Sequence, residues 1–302
     1  MSNLSALRAK LQSHNIPFLE NQCMAEYTTM KVGGNASLVA IVRSAEELIK
    51  AVKEAREENV RYFVLGKGSN VIFSDIGFDG LIILTTEMKS YTIEGSIIKA
   101  DCGVPLTRLS TEAQKRGLSG LEFAHGIPGT IGGGVYMNAG AYGGCLADVI
   151  VSSICFDTEN DTIRKIDLGE HEFTYRHSIY TKNPNLIILA AMLQLKPGDK
   201  EQIAATIAHH TSARKEKQPL NYPNSGSIFK HPVGMYAGQL IEECGLKGYR
   251  IGGAEVSEKH AGFIINRGNA TASDVEKLIQ HVRNVVNRAY DVNLECEIKF
   301  IH

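Results

Sequence analysis

Apolar residues recur at two periods along the chain, and the periods place its elements. Leu4, Leu7 and Leu11 lie at helical spacing and predict a short first helix. Residues 37–42 read as a strand. Ser44 then marks a helix start, with Glu47 completing a capping box, Leu48, Val52 and Ala55 facing inward and Asn59 at the end. Residues 61–65 follow as a strand, so 37–65 predicts a βαβ unit. Further strands are expected at 71–73, 81–84, 96–100, 149–156, 162–166 and 185–195. Pro105, favoured at the first helical position, opens a helix with Leu106, Leu109 and Ala113 inward and Gly117 at its stop. Ile203, Ile207 and His210 trace another helix, ending near residues 217–219. Residues 238–244 form a helix stopped by Gly245, and 262–266 a strand. Thr271, with Asp274 at N3, caps a long helix whose core face is Val275, Leu278, Ile279, Val282 and Val286. Residues 293–301 predict a closing strand. Residues 24–35 read as a loop, and Lys196-Pro197-Gly198-Asp199 as the strongest linker.

Composition narrows the class. At 302 residues the chain supports two or three domains. Its formal net charge is −1 without a basic block, which argues against a nucleic-acid partner. The six cysteines are scattered, with neither C-x-x-C nor zinc-ligand spacing. They read as small buried hydrophobes in a reducing compartment, and no metal site is expected. The start of the chain shows no signal-peptide core, and the longest apolar run, 186–193, is too short to span a bilayer. A cytoplasmic protein without a membrane partner is expected.

Residues 124–144 stand apart from this ordinary background. They read A-H-G-I-P-G-T-I-G-G-G-V-Y-M-N-A-G-A-Y-G-G, and eight of the 21 are glycine. Glycine inside an element costs about 1 kcal/mol relative to alanine, so such density has a use. Gly126, Gly129, Gly132, Gly133 and Gly134 can take positive φ, and without Cβ they expose backbone N–H groups to an anion. Pro128 stiffens the first turn. Tyr136, Met137, Asn138 and Tyr142 offer a surface to a flat ligand. A merely flexible loop is the plainer alternative, but Ile127, Ile131, Val135 and Met137 would anchor the segment in a core. A second glycine turn, Gly66-Lys67-Gly68-Ser69-Asn70, follows the strand 61–65. It is not a Walker motif, because glycine follows Lys67, and Val71 stands where a Rossmann turn needs glycine. Two such turns on strand-rich scaffolding predict a long diphosphate ligand, such as a dinucleotide, gripped by peptide amides.

With these motifs in order, the chain resembles the UDP-N-acetylenolpyruvoylglucosamine reductases over residues 27–301. The carriers are L-G-K-G-S-N (65–70), G-I-P-G-T-I-G-G (126–133), Y-M-N-A-G-A-Y-G (136–143), Y-R-H-S (175–178), K-Q-P (217–219), G-S-I-F-K-H-P (226–232), G-G-A-E-V-S-E-K-H-A-G-F-I-I-N (252–266) and L-E-C-E-I-K-F (294–300). The short connection after Arg176 matches the compact branch, which lacks an inserted loop with a lid tyrosine.

The resemblance implies an α+β fold: a two-subdomain FAD-binding fold of the p-cresol methylhydroxylase and vanillyl-alcohol oxidase type, plus a C-terminal substrate domain. The divisions expected are 1–80 and 81–197 for the flavin and 198–302 for a nucleotide sugar. FAD would be held non-covalently by Gly66, Lys67, Gly68, Ser69, Asn70, Gly126, Ile127, Pro128, Gly129, Thr130, Gly132, Gly133, Asn138 and Ala139. NADPH would supply hydride, passed from flavin N5 to C3 of the enolpyruvyl ether, with a proton delivered to C2. Arg176 matches the residue that stabilises the developing enolate, Ser227 the proton donor and Glu297 a partner in that stabilisation. Ser225 and Glu295 are the neighbours from which the last two must be told apart. Tyr175, Lys217, His231, His260 and Lys299 match substrate positions, although relatives carry other residues at the positions of His231 and Lys299. Two alternatives remain: a nucleotide-sugar-binding protein without redox chemistry, and an oxidase of the same fold with flavin tethered through His125.

Overall fold

A computed structural model describes residues 3–302 of the chain, so the first two residues of the expected 1–80 segment lie outside it. The first helix, Asn3–Ser13, buries Leu7 and Leu11. The helix Ala45–Glu57 buries Leu48, Ala51, Val52 and Ala55 on one stripe, as a 3.6-residue period requires. Its cap differs from the expected box. Ser44 Oγ accepts the Glu47 N–H at 3.2 Å, but the Glu47 carboxylate turns back to Arg43, taking its backbone N–H at 2.8 Å and its Nη2 at 2.6 Å. A guanidinium outbids a lone peptide N–H for a carboxylate.

The strands Asn35–Ile41 and Tyr62–Leu65 flank that helix, but they are not neighbours. Phe78–Leu84 lies between them, in a sheet ordered Phe18–Cys23, Asn35–Ile41, Phe78–Leu84, Tyr62–Leu65. The crossover passes over one strand. Pro105 takes the N-cap position of the helix Leu106–Lys115 instead of its first turn, with extended ψ of 134°.

The chain forms two compact units. The first comprises 1–19, 38–67 and 80–213; the second comprises 20–37, 68–79 and 214–302. Each has its own hydrophobic core. The first unit contains a five-stranded antiparallel sheet ordered Thr162–Asp167, Ile150–Asp157, Leu186–Gln194, Ile97–Asp101, Tyr91–Glu94. The expected linker is pinned within it: Lys196–Pro197 pairs with Leu118–Ser119, and Gly198 N–H donates to Gly117 O at 2.8 Å. The division between units falls further on, inside the helix Lys200–Lys217.

The second unit contains the antiparallel sheet Asn224–Ser227, Phe263–Asn266, Ala254–Val256, Arg250–Ile251. The helix Ala272–Tyr290 begins with the full Thr271–Asp274 capping box and buries Val275, Leu278, Ile279, Val282 and Val286. Asp75 adds a second cap, its carboxylate accepting the Ala272 and Ser273 N–H groups at 2.7 and 2.8 Å. The closing strand is shorter than expected. Lys299–Ile301 pairs in parallel with Val71–Phe73, whereas residues 295–297 bond to 228–230. The segment changes partner at Ile298, which breaks the ladder.

Among the described residues no helix is long and apolar enough to cross a membrane. The cysteines only partly fit the reading of buried hydrophobes. Cys102 and Cys155 are buried, but Cys23 is exposed. Burial pushes the Cys102 thiol up to about 12, which leaves it inert.

Candidate functional site

In the first unit the second half of the glycine stretch clasps the Tyr175-Arg176-His177-Ser178 segment. Ser178 Oγ donates to Tyr136 O at 2.7 Å, Asn138 Nδ2 to Thr174 O at 3.0 Å, and Arg176 Nη2 to Gly140 O at 3.1 Å. Three alternate residues of one strand of chain thus hold three residues of the other. Thr174 and His177 exchange backbone hydrogen bonds, closing a tight turn in which Arg176 takes φ of 55°. A bulky residue rarely adopts that conformation, and such positions cluster where geometry matters for function. The Arg176 guanidinium lies 5.0 Å over the exposed ring of Tyr175. Asn138, itself left-handed at φ 43°, ends the helix Ile131–Met137, and its Oδ1 accepts the Ala147 N–H at 3.0 Å. Its side chain is therefore committed to holding the arginine turn and its N–H to the end of the helix, which leaves its main-chain carbonyl to offer a cofactor.

In the second unit one hydrogen-bond ladder joins three separate motifs. Asn70 Nδ2 donates to Glu297 O at 3.1 Å, and Lys299 N–H donates to Asn70 O at 3.1 Å. Glu297 N–H donates to Ile228 O at 2.8 Å, one residue from Ser227. The end of the glycine turn, the carboxylate and the serine are thereby tied together. The ladder also separates the paired candidates. Glu295 is exposed and meets Lys230 at 3.3 Å, whereas Glu297 is half-buried. Ser225 is buried and Ser227 half-buried, because a bulge with Gly226 at φ 77° breaks the strand's alternation between them. Among the described residues Ser227 Oγ makes a single, long 3.4 Å bond to Phe229 O, so its hydroxyl is lightly held.

The glycines of the central stretch act differently from expectation. Gly126, Gly129, Gly132, Gly133 and Gly134 are absent from the positive-φ glycines among the described residues. Their use is close approach. A Cβ on Gly132 would lie 2.8 Å from Cys102 Cβ, and one on Gly134 2.8 Å from Leu146 Cδ1. The resulting short helix buries Ile131 and Val135 and is capped by Thr130, whose Oγ1 accepts the Gly133 N–H. Within the first unit Gly66 packs against the central stretch, since a Cβ on it would lie 2.6 Å from Thr130 Oγ1. Among the described residues, main-chain carbonyls take up none of the N–H groups of 67–70, Gly126 or Gly129. Bare amides and missing Cβ atoms fit a diphosphate.

Gly68 is held by both sterics and torsion: φ is 62°, and a Cβ would lie 2.0 Å from Tyr27 O. Gly68→Ala is expected to cost well over about 2 kcal/mol, since left-handed torsion alone costs about 1–2 kcal/mol. Gly95, at φ 59° with nothing near its missing Cβ, supplies the control. Denaturant melts should show Gly95→Ala losing only the torsional part. Equal losses would mean that the approach to Tyr27 is not limiting.

The remaining positions differ in setting. Lys217 is the exposed last residue of its helix, and His231 is exposed with Nδ1 accepting the Ala237 N–H at 3.4 Å. His260 is half-buried, and its Nδ1 accepts the Gly262 N–H at 3.1 Å. Burial, then nearby His231 and Lys247, hold its pKa below the ordinary histidine value. A Cβ on Gly262 would lie 3.0 Å from the His260 ring and 3.4 Å from Ser227 Oγ, so this glycine keeps the space beside the serine open. Burial likewise lowers the Lys299 ammonium. Sequence reasoning missed the carbonyls of Tyr136 and Gly140 as acceptors, because no side-chain motif announces a backbone acceptor.

Comparison with known proteins assigns both halves. Residues 36–166 match the FAD binding domain family, and 218–301 match the family described as UDP-N-acetylenolpyruvoylglucosamine reductase, C-terminal domain. A UDP-N-acetylenolpyruvoylglucosamine reductase of Caldicellulosiruptor bescii is 44% identical over 295 residues, covering 96% of this chain and 93% of its own. The crystal structure of UDP-N-acetylenolpyruvylglucosamine reductase from Thermus caldophilus superposes with a TM-score of 0.81 at 35% identity, over 95% of this chain and 99% of that one. A glucooligosaccharide oxidase from Acremonium strictum superposes at 0.51 with 14% identity, over 95% of this chain and 59% of its own, a likeness of fold alone.

Proposed function

The chain belongs to the UDP-N-acetylenolpyruvoylglucosamine reductase family and is an FAD-dependent oxidoreductase of peptidoglycan precursor synthesis, and we propose that it uses NADPH to reduce the enolpyruvyl group of its nucleotide sugar to UDP-N-acetylmuramate. Its fold is the two-subdomain flavin-binding fold of the vanillyl-alcohol oxidase type with a C-terminal α+β domain. In the division we propose, residues 1–80 and 81–197 serve the flavin and 198–302 the sugar. Residues 66–70, 126–130, 132–133 and 138–139 would hold FAD, a choice supported by the Gly66–Thr130 approach and, among the described residues, by the N–H groups of 67–70, Gly126 and Gly129 that no main-chain carbonyl takes up. Bound there, FAD would supply the redox chemistry, a relay of hydride between NADPH and C3 of the enol ether.

The protein's own groups handle charge and protons. Arg176 meets the substrate carboxylate as negative charge spreads onto it, with a charge that is permanent and a plane set by Tyr175 and Gly140. Ser227 gives its hydroxyl proton to C2, forming the new C–H bond, and recovers a proton from solvent. Glu297 shares in stabilising the enolate, held in place through its backbone by Asn70 and Ile228. Tyr175, Lys217, His231, His260 and Lys299 contact the nucleotide sugar. We place the reaction in the cytoplasm, in keeping with free thiols at all six cysteines.

The observation that carries this reading is the ladder tying Asn70, Glu297 and the residue after Ser227. Purified protein is expected to be yellow, to release its flavin on denaturation, and to turn over NADPH continuously when the enolpyruvyl sugar is supplied. A colourless protein that takes up no FAD on titration would end the proposal. A normal flavin spectrum without turnover would point to a binding protein instead, and flavin retained in the precipitate to a tether at His125.

A further inference from the structure

The arginine turn has a second fastening, buried beneath it in the first unit. His171, Ser153 and Tyr180 are each at most 1% exposed. The Ser153 hydroxyl lies 2.7 Å from His171 Nε2 and 2.6 Å from the Tyr180 hydroxyl. His171 Nδ1 lies 2.9 Å from Asp167 O. A carbonyl only accepts, so Nδ1 carries the proton, and in the neutral ring Nε2 must accept. Ser153 therefore donates to His171, and Tyr180 donates to Ser153. One arrangement satisfies every group, and burial, which holds the His171 pKa down, keeps the ring in the neutral form it needs.

The placement of this chain of bonds gives it a use. His171 and Tyr180 bracket the segment whose apex is Arg176. Both ends of that segment reach one hydroxyl, on a strand paired on both sides: Ser153 faces Ile166 on one neighbour and Ala191 on the other. His171 also stacks on Phe173 with ring centroids 4.7 Å apart and planes 7° from parallel. The base of the turn is thereby fixed to the centre of the sheet, while the glycine stretch holds its upper part through Tyr136, Asn138 and Gly140.

We propose that Ser153, His171 and Tyr180 are positioning residues for Arg176, setting where its guanidinium meets the substrate carboxylate without touching the substrate themselves. The inference rests on the role given above to Arg176. A group displaced by about 1 Å can lose about 10²-fold in rate, so a loosened base is costly even though the residues removed lie behind the turn.

Tyr180→Phe tests it, since it removes one oxygen at nearly constant volume. In the flavin-loaded variant, stopped-flow reduction by NADPH should keep its normal rate. Oxidation by the enolpyruvyl sugar should slow about 10- to 100-fold. In an Arg176→Ala background the same change should add less than about twofold, because there is no guanidinium left to misplace. A normal second half-reaction in Tyr180→Phe overturns the inference, and so does an equal slowing with and without Arg176, which is what a purely structural role gives. If Arg176→Ala alone leaves that half-reaction normal, the reading of the site itself has failed. Should Tyr180→Phe not load flavin, Ser153→Ala and Ser153→Thr replace it. The alanine variant should slow and the threonine variant, keeping the hydroxyl, should recover; equal slowing overturns the inference.

Discussion

Ser227→Ala is expected to leave reduction of the protein by NADPH at its normal rate and to slow reduction of the enolpyruvyl sugar by about 10²–10⁴-fold, the usual span for loss of a general acid. The first half-reaction moves hydride only and needs no hydroxyl. The second must place a proton on carbon, and a carbanion accepts one even from a weakly acidic alcohol if the O–H is well aimed. Ser227 suits that role because it is half-buried and its hydroxyl is lightly held, by a long 3.4 Å contact to Phe229 O. Ser225 cannot step in. It is 4% exposed, and the Gly226 bulge separates its orientation from that of Ser227. Stopped-flow absorbance of the flavin resolves the two half-reactions. Equal slowing of both would show that Ser227 shapes the site as a whole and donates no proton.

How far the sequence made this legible depends on the kind of interaction. Helices showed themselves through buried stripes and caps, as at Leu48, Val52 and Ala55 or at Thr271 and Asp274, because these are local in sequence. Strand partners are non-local and were less legible. Nothing near residues 37–65 announces that Phe78–Leu84 inserts into the expected βαβ pair, and nothing near 293–301 announces the change of partner at Ile298. The glycine turns were visible, but their reason was misjudged. Gly132 and Gly134 answer to packing against Cys102 and Leu146 and not to torsion, a distinction that needs the neighbours in place.

The candidate site shows the same split. Arg176, Ser227 and Glu297 each sit in a motif. Strand parity alone leaves Glu295 and Glu297 on one face, and the fold separates them by burial, by the Asn70 bond to Glu297 O and by the pairing of Glu295 with Lys230. The resemblance places Asn70 and Asn138 among the cofactor positions. Folded, both spend their side-chain amides on backbone carbonyls, at Glu297 and Thr174. The Ser153, His171 and Tyr180 network was illegible, because its partners lie 18 and 27 residues from Ser153 and nothing in the strand Ile150–Asp157 marks Ser153 off from Ser152 beside it.

Arg176→Lys should be nearly as damaging as loss of the residue, although it conserves the charge. The guanidinium is planar, and its contacts include Gly140 O at 3.1 Å from Nη2 and the Tyr175 ring, with its centroid 5.0 Å from Cζ. A carboxylate approaching such a fork can be met by two parallel N–H groups, and the match improves as charge moves onto its oxygens. Lysine brings one nitrogen, no plane and a shorter reach. Loss of a donor to a developing oxyanion typically costs about 10²–10³-fold in kcat. The expected signature is therefore a fall in kcat of that order, a smaller rise in KM for the nucleotide sugar, unaltered reduction by NADPH and a melting temperature close to that of the parent. The turn is retained because its main-chain bonds and those of Ser178 and Asn138 do not involve the side chain at 176. A kcat within about threefold of the parent, against the 10²–10³-fold loss expected, would mean that positive charge alone suffices at this position. The forked geometry, and with it the reason for holding Arg176 at φ 55°, would then have to be sought in binding and not in the transition state.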